Sequence, residues 1–346
     1  PEGWDPEALP MDERPSAEDV EVLVQETLAM PNGIQELQFT DPIATMENFV
    51  TMRFFFPVGN WLQIYKAYRA TGDPRLIDRL HESARHYALL SLRYPSVARY
   101  KARDPEGLAY MYSMAAYSRI IMQLALEAPD AVAAWQFKDA EAFVRTMIFI
   151  LRPICESNDS LDPEMGIPQA LADDFRSRAF NRAMNGIGTL SMFTAALEDL
   201  QVLNASNDDQ PTIDRYRRII SEYLGYWQRI GHLCTEERGE PMFVYPYKPE
   251  PEPREIIDGC KIYRRTEDGG HYSHTLQGLM CIFQSTPELG VDRAFMTAVA
   301  NTVHYSRSTE IERNGRDQYS GHFQCPTALE ERPQGGENVG RHSFRR

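Results

Sequence analysis

The chain of 346 residues lacks the patterns that mark several large classes of protein. No apolar run approaches the ~20 residues of a membrane-spanning helix, so no membrane partner is expected. Basic residues are in the minority, with 36 Lys and Arg against 50 Asp and Glu, and the net charge is −14. This balance argues against a nucleic-acid partner, and it means that an anionic substrate must be attracted by a local basic cleft.

The common catalytic and cofactor motifs are absent as well. The chain has no P-loop, no dinucleotide fingerprint after a strand and no G-x-S-x-G motif. His271 and His274 lie three residues apart, but no H-E-x-x-H or Cys/His array accompanies them. The five cysteines are scattered, and their odd number leaves at least one thiol unpaired within the chain. We therefore expect no metal and no cofactor.

No signal peptide is visible. The chain begins at Pro1 rather than Met, which indicates a processed product. We expect a periplasmic or secreted protein from which the signal has been removed, present as a monomer or a small homo-oligomer.

Helical patterns dominate what is present. Gly, Pro, Asp and Asn separate the apolar-periodic segments, as expected at helix ends. Strand-like alternation is scarce, and Met242–Tyr245 is its main candidate. The predicted helices are Thr45–Thr71, Arg75–Tyr94, Gly107–Glu127, Ala131–Glu156, Leu171–Leu203, Thr212–Cys234, Tyr272–Gln284 and Val291–Ser306.

Long helices joined by short turns predict an all-α fold of stacked helical hairpins. Several helices have one apolar face and one face rich in Tyr, Asn and Arg, which suits a helix that lines a central cavity. We therefore predict an α/α toroid, a closed or incomplete barrel of six or seven hairpins, as one domain over residues 1–346. The polar ends, Pro1–Pro15 and Pro333–Arg346, are expected to extend over the surface.

The densest polar chemistry lies in the segment Tyr263–His274, where a loop runs into a predicted helix. Arg265 and Tyr272 are seven residues apart and share a helical face if the segment is helical. A cation beside a phenol neutralises an anion and lowers the phenol pKa, which makes Tyr272 a candidate proton-transfer group. The alternative is a solvated, charged loop that caps a helix. The other candidates of this segment are Tyr263, Arg264, His271 and His274.

A second candidate lies inside a long predicted helix. Asn181 and Asn185 alternate there with Gly186 and Gly188, and each glycine costs roughly 1 kcal/mol relative to alanine. The asparagines are candidate donors to a substrate carboxylate. Close packing between helices at the glycines explains the same pattern.

Other residues form weaker candidates. Tyr112 and Tyr117 are either stacking platforms for sugar rings or core residues, and the same alternatives hold for Trp61. His322 lies in a late segment that either folds over a cavity or is a surface loop. A glycoside hydrolase would need two carboxylates at the right distance from each other, one from each of two neighbouring pairs. These pairs are Asp173-Asp174 and Glu267-Asp268.

The Arg265–Tyr272 spacing and the Asn185 helix together resemble the α/α-toroid polysaccharide lyases that act on uronate polymers, above all the alginate lyases. In one alginate-lyase family an Arg precedes the catalytic Tyr by seven residues, and an Asn-Asn-His run lies on an earlier helix. Asn185 matches the neutralising Asn, but Gly186 stands where that family has the His. Polysaccharide lyase family 38 is the similar group with an expanded helical barrel.

The resemblance implies β-elimination on a 4-linked uronic acid polymer, such as alginate, polymannuronate or glucuronan. It implies that Asn185 and Arg265, helped by Arg264 or Asn181, neutralise the C6 carboxylate. Tyr272 then transfers the proton, with His271 or His274 as the second group. An unsaturated glucuronyl hydrolase on the same toroid and a non-catalytic carbohydrate-binding helical protein are the alternatives.

Overall fold

The computed structural model describes most of the chain. Contacts within the chain group it into two compact units: the first is Pro1–Gln228 with His271–Arg293, and the second is Arg229–Gly270 with Ala294–Arg346. The predicted single domain stays a prediction. The described residues are 16–29, 64, 67–68, 70–103, 105, 108, 111–156, 160–204, 208–235, 239–249, 253, 255–257, 260–263, 266–267 and 269–314.

The described part of the chain is mainly helical, which confirms the predicted all-α class. Nine helices lie wholly or almost wholly in the first unit, as far as that unit is described. They are α1 (Ala17–Ala29), α2 (Pro74–Arg93), α3 (Pro95–Ala102), α4 (Tyr112–Glu127), α5 (Ala134–Cys155), α6 (Gln169–Ser177), α7 (Phe180–Leu203), α8 (Gln210–Ile230) and α9 (Gly269–Ser285).

The second unit contains two antiparallel hairpins and one helix among its described residues. Strand β1 (His232–Thr235) pairs with β2 (Pro241–Val244), and β3 (Glu255–Ile257) pairs with β4 (Cys260–Ile262). Helix α10 (Arg293–Asn314) packs against β2. The backbone N–H of Phe243 donates to Thr302 Oγ1 at 2.9 Å, and the Phe243 ring lies 4.9 Å from that of Phe295. The strand predicted at Met242–Tyr245 is confirmed as β2, one residue displaced.

Three predicted helices differ from the structure, and one of them, predicted over Val291–Ser306, runs over Arg293–Asn314 instead. The helix predicted over Leu171–Leu203 is two helices, because Arg178 and Ala179 are extended between α6 and α7. The break lets Phe175 and Phe180 both bury their rings, against Tyr223 and Tyr226 of α8 respectively.

The helix predicted to reach Cys234 ends at Ile230 instead. A Cβ at Gly231 would lie 2.2 Å from the Phe243 ring, so any larger residue where the chain turns into β1 would have to displace this ring. Cys234 then pairs with Met242 in the strand ladder. Cys155, Cys234 and Cys281 are buried free thiols, as expected for core cysteines.

Three helices of the first unit, α4, α7 and α9, run in the same direction. Just before α4, Leu108 lies against Gly186, in the first half of α7. Further along, Arg119 of α4 forms a salt bridge with Asp199 near the end of α7, so the two helices are parallel. The contacts between α7 and α9 advance in the same way. Gly278 touches Gly188, and the later residue Thr286 hydrogen bonds to the later residue Ser191 at 2.8 Å, so the two helices are parallel.

Helices α5 and α8 run in the opposite direction to α4 and α7. Between α4 and α5, Tyr117 packs on Phe143 at 5.6 Å, and the next residue, Ser118, donates to the carbonyl of Ala140 at 3.1 Å. Between α7 and α8 the contacts run from Phe180 with Tyr226 to Phe193 with Tyr216. Thus α4–α5 and α7–α8 are antiparallel helical pairs.

Candidate functional site

Helices α7 and α9 touch each other through their backbones. A Cβ at Gly278 would lie 2.3 Å from the carbonyl oxygen of Met184, and one at Gly188 would lie 2.7 Å from the carbonyl oxygen of Gly278. Real Cβ atoms do not come closer than 3.0 Å, so only glycine permits this approach. The close-packing explanation for Gly188 is therefore confirmed, and the crossing fixes which residues of the two helices face each other.

On α7 the face toward α9 continues from the crossing to the asparagines. Met184, Gly188 and Ser191, all in contact with α9 or the residue after it, recur at helical spacing of three and four. Asn181 lies three residues before Met184 on the same stripe, and Asn185 lies one turn after Asn181. Both asparagines therefore lie at or beside the α9-facing stripe.

The amide groups of these asparagines are buried and incompletely satisfied. Asn181 has no exposed surface, and neither its side-chain nitrogen nor its side-chain oxygen has a hydrogen-bond partner among the described residues. Asn185 is 3 % exposed, and its Nδ2 has no partner within the same part of the chain. A buried polar group without a partner costs roughly 1–3 kcal/mol, so these two amides on successive turns are groups that a ligand could satisfy.

On α9 the stripe toward α7 holds two histidines. His271, His274 and Gly278 recur at intervals of three and four residues, so they share a face. Both histidines are half-buried. Because α7 and α9 are parallel, His274, one turn before Gly278, lies at the level of Asn181 and Asn185.

The electrostatics of His274 favour the neutral imidazole. Burial lowers the pKa of His274 to about 4; the nearby Gln277 side chain raises this pKa and the charge of nearby His271 lowers it. A neutral imidazole retains a lone pair that accepts a proton. Gln277 was not among the predicted site residues, although its position three residues after His274 on one helix indicates that the two side chains are neighbours.

Tyr272 lies on a different side of α9. It is six residues from Gly278, which turns it by about 120° from the α7-facing stripe. Tyr272 shares its face with Thr275 and Leu279, and all three are at most 1 % exposed. Tyr272 is as buried as the two asparagines but lies away from the α7-facing stripe that carries the two histidines, and its predicted role in proton transfer stays a prediction.

Gly186 has no room for the histidine that the resembled family carries at this place. A Cβ there would lie 2.9 Å from the carbonyl oxygen of Pro105 and 3.3 Å from Cβ of Leu108. An imidazole at this position would displace backbone. The packing around α7 thus explains why glycine stands at position 186, where the resembled family has histidine.

The predicted stacking residues of α4 are inside the protein. Tyr117 is fully buried, with its ring 5.0 Å from His81 and 5.6 Å from Phe143. Tyr112 is 1 % exposed, and its hydroxyl accepts from Cys281 Sγ at 3.5 Å. These placements favour the core alternative for both tyrosines.

The remaining candidates divide between the second unit and the part of the chain outside the described residues. Tyr263 is buried, and its hydroxyl donates to the carbonyl of Ile230 at 2.6 Å, which ties β4 to the end of α8. The candidates that lie outside the described residues are Trp61, Arg264, Arg265 and His322. Their predicted roles in substrate binding stay predictions.

Two of the carboxylates considered for a hydrolase, Asp173 and Glu267, have partners elsewhere, and Asp268 lies outside the described residues. Asp173 is exposed on α6, where it accepts from Gln169 at 2.7 Å and lies 3.7 Å from Arg176. Asp174 is half-buried on the same helix. In the second unit, Glu267 is buried and accepts a hydrogen bond from the Tyr245 hydroxyl at 2.6 Å.

Two other types of feature are absent from the described residues. They contain no group of three or more His, Cys, Asp or Glu side chains arranged to hold a metal ion. Within the same residues, every helix is too short or too polar to cross a membrane.

The facing asparagines and histidines form an arrangement that can bind an anion and move a proton. Two amide donors can hydrogen bond to a carboxylate, and a neutral imidazole on the opposite helix can act as a base. Comparison with known protein families, curated proteins and solved structures found no match to this chain.

Proposed function

We propose that the protein is a polysaccharide lyase that cleaves a 4-linked uronic acid polymer by β-elimination. The observation that carries the proposal is the pair of buried, unsatisfied amides of Asn181 and Asn185 opposite the half-buried His274. Elimination needs a neutralised carboxylate and a base beside it, and these residue types supply both functions.

The proposed architecture is the α/α toroid. In a ring of helical hairpins each hairpin reverses the chain, so the inner helices all run one way and the outer helices the other. The common direction of α4, α7 and α9, with α5 and α8 antiparallel to their partners, supports this arrangement within the first unit. The asparagines and histidines then belong to inner helices.

In the proposed reaction the amides of Asn181 and Asn185 donate to the C6 carboxylate of the sugar. Charge withdrawn from C5 makes its proton removable, and the neutral imidazole of His274 accepts this proton. The electron pair forms the C4–C5 double bond while the C4–O4 bond breaks. His271 donates a proton to the leaving oxygen.

This assignment moves the base from Tyr272 to His274, and one pair of variants separates the two hypotheses. His274→Gln is expected to lower kcat roughly 10²–10⁴-fold, the usual contribution of a general base. Tyr272→Phe is the matched control and is expected to retain most of the turnover, because Tyr272 lies about 120° around α9 from the α7-facing stripe. Loss of turnover in Tyr272→Phe with an unchanged fold, and normal turnover in His274→Gln, would restore the tyrosine assignment.

The assay incubates the protein with polymannuronate, polyguluronate and glucuronan. A lyase produces an unsaturated sugar that absorbs in the ultraviolet. New reducing ends without this absorbance would show a hydrolase instead, and binding without either product would show a carbohydrate-binding protein. Either result would overturn the proposed elimination.

A further inference from the structure

Three arginines from two helices line one cavity of the first unit, away from the candidate site. The cavity measures about 310 Å³, and Arg99 of α3 meets Arg145 and Arg152 of α5 there. Ile148, Phe149 and Pro153 complete its lining. The size is near the lower end of small-molecule sites. In a chain with a net charge of −14, this concentration of cations is a local exception.

Two of the arginines have donors that protein groups leave unused. Nε of Arg99 and one terminal nitrogen of Arg145, Nη2, are buried and have no hydrogen-bond partner among the described residues. Arg99 otherwise lies over the Phe149 ring, 4.3 Å from its centroid, and donates to the Phe149 carbonyl at 3.4 Å. Buried donors on a permanent cation are costly to leave unpaired, and an oxyanion satisfies them.

The acidic groups nearby do not neutralise the cavity. Asp209 accepts from Nη1 of Arg145 at 2.7 and 2.8 Å, and Glu156 lies 3.5 Å from Arg152. Arg99 has no carboxylate partner within the described residues. Three guanidinium groups against two carboxylates leave an excess of positive charge, which suits an anion of low charge. Glu156 also faces Arg215 at 3.7 Å, which adds to the excess.

We propose that this cavity, the arginine cleft, binds a small molecule through a carboxylate or phosphate group. Guanidinium groups present paired N–H donors that match both groups. Ile148 is buried and Phe149 is partly exposed, so the pair offers an apolar surface for the rest of the ligand. The proposal stands independently of the proposed lyase activity.

Calorimetric titration at constant ionic strength tests the arginine cleft, with glucuronate, inorganic phosphate and neutral glucose as probes. Glucuronate or phosphate is expected to bind the wild type and glucose is not, and the relative affinities of the two anions identify the preferred group. Arg99→Gln is expected to weaken anion binding at least tenfold, because one charged donor set is lost. Arg99→Lys keeps the positive charge but not the paired N–H donors of the guanidinium group, and an intermediate affinity is expected.

The matched control is Arg93→Gln. Arg93 also lies over an aromatic ring, that of Tyr94 at 5.4 Å, but it does not line the cavity. Its removal is expected to leave anion affinity unchanged. His274→Gln is also expected to bind phosphate with the affinity of the wild type, which separates the arginine cleft from the candidate lyase site. Absence of anion binding to the wild type at millimolar concentration, or equal affinity in Arg99→Gln and wild type, would overturn the proposal.

Discussion

Replacing Gly278 by alanine tests the backbone contact between α7 and α9 that holds the asparagines and histidines together. The new Cβ would lie 2.3 Å from the carbonyl oxygen of Met184 and 2.5 Å from its carbonyl carbon. Since 3.0 Å is the practical minimum for a Cβ contact, α9 has to move by about 0.7 Å, the difference between 3.0 and 2.3 Å. Both atoms are backbone, so no side-chain rotation relieves the overlap.

Two energies oppose each other in this variant. Alanine is favoured over glycine in a helix interior by roughly 1 kcal/mol. Overpacking of a well-packed core costs about 1–3 kcal/mol, and an unyielding backbone neighbour puts Gly278→Ala at the upper end. The expected result is a loss of about 2 kcal/mol in the free energy of unfolding.

A graded series of three glycines supplies the control. The closest backbone atom to the new Cβ lies at 2.3 Å for Gly278, 2.7 Å for Gly188 and 2.9 Å for Gly186. Destabilisation measured by urea unfolding should fall in that order, and Gly186→Ala should be nearly neutral. If Gly278→Ala is more stable than the wild type, as helix propensity alone dictates, the inferred contact is wrong.

Two further predictions concern the candidate site. Asn181→Leu is expected to keep or raise the free energy of unfolding by about 1–2 kcal/mol, because it removes a buried, unsatisfied amide, while elimination is lost. A clear loss of stability in urea unfolding would contradict this. For His274, the folded-state pKa of about 4 lies below the ordinary 6.5, so its contribution to stability is complete above pH 6.5 and is lost as the pH falls toward 4. We expect the wild type to lose about 2 kcal/mol more than His274→Gln between neutral pH and about pH 4.5. The acidic limb of the kcat/KM profile is expected near pH 4 in the wild type, and a limb near pH 6.5 would refute the lowered pKa.

The sequence predicted the helices well where the pattern was amphipathic and its ends carried stop signals. Asp73 and Pro74 begin α2, and the Asp73 side chain accepts from the backbone N–H of Arg75 as an N-cap. The break between α6 and α7 was missed because Arg178 and Ala179 carry no helix-breaking signal. Tertiary packing of Phe175 and Phe180 produces that break.

The candidate site was predictable in its residue types and not in its geometry. Asn181, Asn185, His271 and His274 all stood out as polar groups in helical context, and the structure brings their two stripes to one crossing. Which α9 residue faces α7 depends on Gly278, a position that no motif marks. The arginine cleft was invisible for a related reason: its three arginines come from separate turns and helices, and only the fold unites them.

The contact between Ser191 and Thr286 joins residues 95 positions apart in the chain. Closing so long a loop carries an entropic cost that local helix formation does not share, so α9 is expected to dock late in folding. During synthesis the amides of α7 emerge first and remain without the histidine helix until nearly the whole first unit has been made. The candidate site therefore forms in one of the last steps of folding, and a chain truncated before His271 would retain the two asparagines without the two histidines.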